Sequence, residues 1–358
     1  MCHLSMAHWM RTLVFMNEVT SGARSLRVCA TVQETPDAVS IVFDAGAIDV
    51  PYRPGQFLTV RVCGEFGALA RCYSLSSAPG VDDRLQITVK RTRAGRASNW
   101  ICDNVTDGSY LDVLPPSGQF VPRRWDVDFL LFAGGSGITP LLSILKAALH
   151  EHQNKVTLVF ANTDARSVIF AAQLDDLARR FPDRLDVVHW LESERGLPTV
   201  TGLRTMIRPP RGHVFLCGPG PFMAVVNDYL EGVDVGRDRV TTETFTSLRN
   251  DVFEGAPAVV PAPDDSHGTR LLAEINGDSH RLTWPRDVPL LDVLLAARLD
   301  PEYVCREGSC GSCAYTLVSG EVKMLANDTL DTYELNKGIR LACQSVPIDD
   351  NVHVRFDQ

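Results

Sequence analysis

The amino-acid sequence predicts a multidomain protein built from a small antiparallel β-barrel, a doubly wound parallel α/β sheet and a smaller α+β domain, in that order. Three observations predict this architecture. Short strand-like segments separated by Pro and Gly fill residues 25–124, strands and helices alternate over residues 125–253, and residues 269–358 contain a loop dense in cysteine. The 358 residues suffice for two or three domains, and 45% hydrophobic with 22% charged content excludes a disordered chain or a coiled coil.

The first domain is predicted over residues 25–124 from short β-like segments. These segments are SLRVCATV, VSIVF, QFLTVRV, RCYSL, LQITVK and YLDVL. Closely spaced strands broken by turn residues are typical of a small barrel. Residues 1–24 show no clear signal-peptide cleavage site and are predicted to be a poorly ordered N-terminal extension.

The second domain is predicted over residues 125–253, where apolar strands alternate with amphipathic helices. FLLFAGG leads into TPLLSILKAALH, VTLVFAN into IFAAQLDDLARRF, and HVFLCG into PFMAVVNDYLEG. This rhythm is typical of a parallel sheet with helices on both faces. Residues 254–268 are rich in proline and acidic side chains, and they are predicted to form a semi-rigid linker to the third domain, residues 269–358.

Charge and cysteine content limit the possible partners. The formal net charge is −9, and residues 254–358 hold 9 basic and 17 acidic side chains. An acidic C-terminal third repels phosphate backbones, so we expect no nucleic-acid partner and instead a protein with a basic face. No apolar run approaches the ~18 residues of a membrane span, so no membrane association is expected. Ten cysteines without a disulfide-scaffold pattern predict a reducing, cytoplasmic location.

The most specific motif is a cysteine cluster near the C-terminus. Cys305, Cys310 and Cys313 follow the spacing C-x4-C-x2-C, and Cys343 follows after 29 residues. This is the plant-type ferredoxin spacing, in which four thiolates hold a [2Fe–2S] cluster. The alternatives are a zinc site or four unconnected core cysteines. Zinc sites usually pair cysteines as two C-x2-C units, and this loop contains a single such pair, which favours the [2Fe–2S] cluster.

A second motif is predicted to bind a flavin. Its residues are Arg71, Tyr73 and Ser74 at the end of a barrel strand, followed by Gly95, Ala97 and Ser98 where a strand gives way to a helix. An arginine can hold a pyrophosphate, a tyrosine can stack on a flavin ring and a serine can hydrogen-bond its polar edge. A helix that starts near Ala97 would aim free N–H groups at the same phosphates. An alternating strand with one exposed arginine would look the same, so this interpretation depends on the nucleotide-type domain that follows.

Two glycine-rich turns predict a nucleotide site in the second domain. They are Gly134, Gly135, Ser136 and Gly137 after the first strand, and Cys217, Gly218 and Pro219 after a later strand. Such turns occur in many α/β domains without a ligand, but two at the C-terminal edge of one sheet favour a bound nucleotide. After the second strand, Asp164 would repel a 2′-phosphate, whereas Arg166 and Ser167 could accept one. We expect NADH rather than NADPH.

The order of these motifs, RCYS, GRAS, GGSGITP, CGPGPFM and then the cysteine cluster, resembles that of the ferredoxin–NADP reductase superfamily. Within it, the sequence is similar to oxygenase reductases that carry a plant-type ferredoxin domain at the C-terminus. Segments such as VKRTRAGRASNW and WPRDVPLLDVLLAARLDPEYVCREGSCGSC resemble the reductase components of 3-ketosteroid 9α-hydroxylases. The reductase subunits of phenylacetyl-CoA epoxidases are a nearby alternative.

The resemblance implies an FAD-binding barrel, an NAD-binding α/β sheet and a β-grasp ferredoxin domain. The FAD would be held by Arg71, Tyr73, Ser74, Gly95, Ala97 and Ser98, with Glu243 and Phe245 near the flavin and Lys90 as a further cofactor contact. The nicotinamide nucleotide would meet Gly134, Gly135, Ser136, Gly137, Thr139, Asn162, Arg166, Cys217, Gly218 and Pro219. The residues expected at the reacting atoms are Tyr73, Ser74, Thr139, Cys217, Glu243 and Phe245.

The predicted function is electron transfer from NADH through FAD and the [2Fe–2S] cluster to a separate terminal oxygenase with a Rieske or di-iron site. The protein would act as a monomer and would not touch the organic substrate. No GxSxG or Walker A sequence supports a hydrolase or an NTPase. The alternative from another class is an iron–sulfur redox sensor that no longer binds nicotinamide, which the two intact glycine turns argue against.

Four carboxylates near the cluster loop are the expected contacts with the oxygenase. They are Glu302, Glu307, Asp328 and Asp331. Complementary charge on the partner would raise the rate of encounter more than the final affinity. The alternative is that each of these side chains is merely a solvated surface charge.

Overall fold

The computed structural model describes residues 23–44, 51–209, 212–249, 252–253 and 268–356. Residues 1–22 of the predicted N-terminal extension and 254–267 of the predicted linker lie outside these ranges. Within the described ranges, none of the helices combines the length and the apolar content needed to cross a bilayer.

The first domain is a six-stranded antiparallel sheet that closes into a barrel. Its strands are β1 (Arg24–Thr35), β2 (Ala38–Phe43), β3 (Phe57–Gly64), β4 (Gly67–Ser74), β5 (Gln86–Lys90) and β6 (Tyr110–Val113), and helix α1 (Arg96–Asn104) follows β5. They lie in the order β4–β3–β6–β1–β2–β5, and a bridge between Leu75 and Ile87 brings the two sheet edges together. Alternating apolar residues such as Val28 and Val60 point into one buried core, onto which α1 packs Ile101.

The second domain is a five-stranded parallel sheet with helices on both faces. Its strands are β7 (Phe129–Gly134), β8 (Val156–Asn162), β9 (Leu185–Leu191), β10 (His213–Cys217) and β11 (Val240–Glu243). Its helices are α2 (Ile138–His150), α3 (Ala171–Arg180), α4 (Glu192–Arg195), α5 (Val200–Met206) and α6 (Gly220–Glu231). Helices α2 and α3 pack in one core and α5 and α6 in another, on either side of the strand order β11–β10–β7–β8–β9. The order reverses between β7 and β10, and the C-terminal ends of these two strands frame the crevice where such sheets bind ligands.

The third domain is a mixed sheet with one helix packed across it. Its strands are β12 (Thr269–Ile275), β13 (Asp278–Trp284), β14 (Ala314–Ser319), β15 (Val322–Met324), β16 (Ile339–Leu341), β17 (Ser345–Pro347) and β18 (Asn351–Arg355), and its helices are α7 (Leu290–Ala296) and α8 (Thr332–Asn336). The sheet order is β13–β12–β18–β14–β16, with β12 and β18 parallel, while β15 and β17 form a separate pair. Helix α7 buries Leu290, Leu291 and Leu294 against the sheet beside Trp284, which is a β-grasp arrangement. The fold class predicted from the sequence is confirmed.

The first two domains are joined by a buried polar lock. Lys146 of α2 lies in an otherwise apolar helix, and its ammonium donates to the carbonyl of Ser76 at 3.2 Å and forms an ion pair with Asp82 at 3.0 Å. Ser143, one turn earlier, donates to the carbonyl of Ser77 at 2.6 Å. Since buried polar groups need partners, these bonds specify a single docking of the barrel against the parallel sheet.

Candidate active site

Strand β4 presents the predicted flavin contacts on its two faces. Arg71 and Tyr73 alternate with Cys72 and Ser74, because successive side chains of a strand point to opposite faces. Tyr73 packs against the barrel core, and burial raises the pKa of its phenol well above the usual value. The Arg71 guanidinium donates to the carbonyl of Leu248 at 3.0 Å, which links the barrel to the segment that follows β11.

Ser74 and Glu243 connect the barrel to the parallel sheet. Ser74 is 4% exposed, and its hydroxyl donates to Glu243 Oε2 at 3.5 Å. Glu243 pairs in register with Cys217, which ends β10 and is fully buried. Burial raises the pKa of Glu243 to about 8, and the hydrogen bond from Ser74 opposes part of this shift. Most of the Glu243 carboxyl is therefore protonated at neutral pH, beside the serine that is predicted to meet the flavin.

The first turn of α1 is built to receive an anion. Gly95 precedes the helix and brings no capping side chain, and the first turn carries no acidic residue. A Cβ at Gly95 would lie 2.6 Å from Ser98 Oγ, so only glycine allows this tight entry. Ser98 is buried and accepts from the N–H of Thr92 at 3.1 Å, with Ala97 buried beside it. The uncapped N–H groups at the helix start suit the pyrophosphate of a dinucleotide.

The two glycine turns press against each other at the switch point of the sheet. A Cβ at Gly137 would lie 2.1 Å from the carbonyl oxygen of Cys217, and a Cβ at Gly134 would lie 2.8 Å from Pro219. A Cβ at Gly218 would lie 3.0 Å from Gly134 Cα. Glycine at these positions therefore allows the ends of β7 and β10 to meet at backbone distance, which leaves the N–H-rich turn facing the crevice.

The turn itself and its neighbours supply polar groups. Gly135 has a φ of +53°, and Lys90 Nζ of the barrel lies 3.7 Å from where its Cβ would be. Ser136 accepts at its carbonyl from the buried Thr139 hydroxyl at 3.0 Å, so that hydroxyl stabilises the turn. Asn162, at the end of β8, is buried with neither polar atom of its side-chain amide hydrogen-bonded within the described chain. A buried side-chain amide without a protein partner is available to form hydrogen bonds with a polar ligand.

The segment after β8 carries the residues predicted to discriminate between the two nucleotides. Asp164 caps the turn that follows it, because its carboxylate accepts from the N–H of Ser167 at 3.0 Å. Arg166 pairs with Asp164 at 3.4 Å while its side chain is 86% exposed. The arginine side chain is thus largely in solvent, whereas the carboxylate of Asp164 is held by the N–H of Ser167.

Three of the four predicted metal ligands lie on one loop of the third domain, and the fourth, Cys343, lies in the short turn Ala342–Gln344 after β16, with its N–H 3.5 Å from Cys313 Sγ. Cys305, Cys313 and Cys343 are buried, and Cys310 is partly buried. The thiols of Cys310 and Cys343 both form hydrogen bonds with the sulfur of Cys305 and lower the pKa of Cys305. Hydrogen bonds from backbone N–H groups lower this pKa further.

Backbone N–H groups point inward at these sulfurs. The N–H groups of Glu307 and Ser309 both lie 3.4 Å from Cys305 Sγ, and that of Cys343 lies 3.5 Å from Cys313 Sγ. Positive φ angles at Gly308 (+81°) and Gly311 (+72°) allow the loop to turn these groups inward. Thiolate donors surrounded by N–H groups fit a [2Fe–2S] cluster.

The flavin contacts and the cysteine loop meet at a single cavity of about 800 Å³ between the three domains. Cys72, Ser74, Glu243, Phe245 and Cys310 all line it. Phe245 is 49% exposed at this cavity. Cys72, on the same face of β4 as Ser74, packs beside Cys305. Burial raises the pKa of Cys72 to about 12, so this thiol stays neutral between the two redox sites.

Three residues at the domain contacts escaped prediction from the sequence. They are Cys72, Lys146 and Arg249. Lys146 could have been found, since a single charge in the apolar helix TPLLSILKAALH signals a buried polar partner. Cys72 resembles an ordinary strand thiol, and nothing in the local sequence marks Arg249.

Family models match each of the three domains. The oxidoreductase FAD-binding domain model matches residues 27–121, the oxidoreductase NAD-binding domain model matches residues 131–228, and the 2Fe-2S iron-sulfur cluster binding domain model matches residues 273–347. The predicted cofactor set of FAD, NADH and a [2Fe–2S] cluster is supported by all three.

Similarity to a whole protein extends through all three domains. The 3-ketosteroid-9-alpha-monooxygenase ferredoxin reductase component of Mycolicibacterium smegmatis is 48% identical over 343 residues, which cover 93% of this chain and 97% of that protein. The chain belongs to this reductase family. The predicted resemblance is thereby confirmed.

Other oxygenase reductases are more distant from this member of the family. A 1,2-phenylacetyl-CoA epoxidase component from Escherichia coli is 28% identical, with 93% of this chain and 97% of that protein covered. Among solved structures, phthalate dioxygenase reductase superposes with a TM-score of 0.56 at 24% identity, covering 94% of this chain and 98% of that one. This structural match supports the shared three-domain fold.

Proposed function

We propose that the protein is the NADH-dependent reductase component of an oxygenase of the 3-ketosteroid 9α-hydroxylase type. The observation that carries the proposal is the 48% identity with such a component along 93% of the chain. The meeting of the predicted flavin contacts Ser74, Glu243 and Phe245 with Cys310 of the cysteine loop around one cavity supports it. The lower identity of 28% with the epoxidase component makes that second partner class the weaker candidate.

Separate groups of residues would bind the FAD and the nicotinamide nucleotide. Tyr73 and Ser74 would orient the flavin ring, and the N–H groups at the start of α1, around Ala97 and Ser98, would hold the FAD pyrophosphate. The Gly134–Gly137 turn, with Asn162 and Arg166, would bind the nicotinamide nucleotide. Thr139 would keep that turn rigid, and Cys217, Gly218 and Pro219 would shape the nicotinamide side of the crevice.

Bound FAD supplies the exchange between a two-electron hydride and single electrons, and the cluster supplies one-electron transfer at a potential near about −400 mV. Around these groups the chain controls charge. Glu243 holds a proton on its carboxyl group at neutral pH, so it adds little negative charge beside the flavin contacts. Cys72 remains a neutral thiol between them and Cys305. The N–H groups that point at the sulfurs of Cys305 and Cys313 would stabilise added negative charge on a bound cluster.

Anaerobic titration of the purified protein with NADH and NADPH tests the proposal, with optical and EPR spectra recorded at each step. We expect NADH to bleach the flavin and to produce the signal of a reduced [2Fe–2S] cluster, and NADPH to act more weakly. Cys310→Ser should keep the flavin bleaching and lose the cluster signal. A flavin that NADH cannot bleach would instead support a redox sensor, and stoichiometric zinc without acid-labile sulfide would disprove the cluster.

We further propose that the protein acts as a cytoplasmic monomer. Thiolate ligands and a supply of NADH suit a reducing compartment. Light scattering coupled to size-exclusion chromatography measures the mass, and a value near 39 kDa is expected.

A further inference from the structure

The third domain is attached to the others through the segment that follows β11. Thr246 donates its hydroxyl to the carbonyl of Ser309 at 2.9 Å. Arg249 donates its backbone N–H to Glu307 Oε1 at 2.7 Å, and its guanidinium pairs with Asp328 at 3.1 Å. Arg249 thus engages Glu307 of the cysteine loop through its backbone and Asp328 through its guanidinium.

The carboxylates expected from the sequence to face a partner protein are therefore already used within the chain. Besides Glu307 and Asp328, Glu302 accepts from Gln119 of the first domain at 3.4 Å, and Asp331 caps helix α8. This contact face brings Cys305 against the back of β4. In this arrangement the cysteine loop lies against the strand that carries the predicted flavin contacts.

The contact of the third domain is much looser than the lock between the first two. The cavity of about 800 Å³ runs along β11 beneath the third domain, where Asn227, Thr241 and Tyr333 face one another across open space. Its apolar part is a buried cluster in which Leu248 and Phe253 pack beside Val304. The Arg249–Asp328 pair is largely solvent-exposed, with side-chain exposures of 73% and 41%. An exposed ion pair beside an open cavity leaves this part of the domain contact able to open.

We propose that Asp328, next to Glu307, forms an exchangeable docking site for an arginine or lysine. The guanidinium of Arg249 occupies it while an electron passes from the flavin to the cluster, and a basic side chain of the electron acceptor occupies it while that electron leaves the cluster for the acceptor. The inference rests on the proposed function. In each arrangement one electron moves and no bond is made or broken. Asp328 cannot pair with Arg249 and with the acceptor at once, so release of Arg249 precedes delivery.

The proposal is tested by amide hydrogen exchange of the holoenzyme and by equilibrium binding of a basic cytochrome c. Neither measurement relies on turnover. Arg249→Ala removes the guanidinium, and we expect faster exchange at residues 246–249 and 307–311. Because an exposed ion pair contributes little free energy, its removal should strengthen the binding of cytochrome c by only about two- to fivefold. Arg27→Ala removes the exposed Arg27–Asp44 pair of β1 and should match the wild type in both measurements.

A charge swap separates the two uses of the site. Asp328→Arg places a cation opposite Arg249 and should therefore speed hydrogen exchange at residues 246–249 and 307–311. The same cation repels the basic cytochrome c, whose binding should weaken about tenfold or more. The double variant Arg249→Glu/Asp328→Arg keeps the net charge of the wild type. It should restore slow exchange while cytochrome c binding stays weak.

Two results would overturn the proposal. Unchanged hydrogen exchange rates in both Arg249→Ala and Asp328→Arg would show that the Arg249–Asp328 pair does not hold the third domain. Equal binding of cytochrome c to the wild type and the double variant would show that Asp328 does not receive the cation of the partner. Neither result depends on whether NADH bleaches the flavin, which is the separate test of the proposed function.

Discussion

Glu243 shows how one residue can set the charge of the flavin side of the cavity. Its carboxyl is held between Ser74 and the end of β10, and burial raises its pKa to about 8. An acid with a raised pKa takes up a proton on folding. Its contribution to stability is therefore complete below the ordinary pKa of 4.5 and is lost as the pH rises through about 8.

Glu243→Gln should remove this dependence. We expect the melting temperature of the variant to vary less between pH 5 and pH 9 than that of the wild type, because the amide does not ionise. Differential scanning calorimetry of the holoenzyme across this range measures it. Glu194→Gln, at an exposed position, serves as the control and should follow the wild type. Parallel curves for all three proteins would contradict the assigned role.

At the scale of single elements, the glycine turn after β7 is determined by contact between two strand ends. Gly137 has an ordinary φ of −62°, so alanine would be allowed there by the backbone alone. Its Cβ would nevertheless meet the carbonyl oxygen of Cys217 at 2.1 Å. Because that neighbour is backbone within a sheet, the turn must move away from β10.

Gly137→Ala should cost about 1–3 kcal/mol of stability and weaken NADH binding about tenfold or more, since the displaced turn no longer presents its N–H groups correctly. Thermal unfolding and a fluorescence titration with NADH measure the two effects. Gly220→Ala is the matched control, because its Cβ would meet nothing within 4 Å. If Gly137→Ala behaves like this control, the close approach of the two strand ends is not required for binding.

At the scale of the whole molecule, the three domains are joined in two different ways. The barrel and the parallel sheet share the buried Lys146, whose side chain is 5% exposed, whereas the third domain is attached through one apolar cluster, an exposed ion pair and a cavity. The rigid joint keeps the flavin contacts aligned with the nucleotide turns. The loose joint leaves the cysteine loop able to change partners.

Lys146→Met should destabilise the joint between the first two domains by about 1–3 kcal/mol, because the carbonyl of Ser76 and the partly buried Asp82 lose a charged donor. The melting temperature should fall, and NADH should reduce the flavin more slowly in stopped-flow measurements. Arg124→Ala, which removes an exposed pair with Asp126, should leave both the melting temperature and the rate of flavin reduction as in the wild type. An equal effect of both substitutions would show that the buried lock is no stronger than a surface pair.

Features that depend on near neighbours in the chain could be predicted from the sequence. The spacing of Cys305, Cys310 and Cys313 specifies a ligand loop, because a short loop allows few ways to direct three sulfurs to one point. Closely spaced strand-like segments broken by Pro and Gly predicted the barrel, and the alternation of apolar strands with amphipathic helices predicted the parallel sheet. The family resemblance depended on the order of these local motifs along the chain.

Only the tertiary structure decided which distant residues meet. Ser74 and Glu243 are 169 residues apart, and Arg249 and Asp328 are 79 apart. From sequence, Glu307 and Asp328 could be recognised as charges near the cysteine loop, but not as partners of Arg249. The physical reason is that such pairs depend on how whole domains pack, and packing sums many weak contacts that no local pattern encodes. The chemistry of each site was therefore readable from the chain, whereas the junction that joins the sites was decided by the fold.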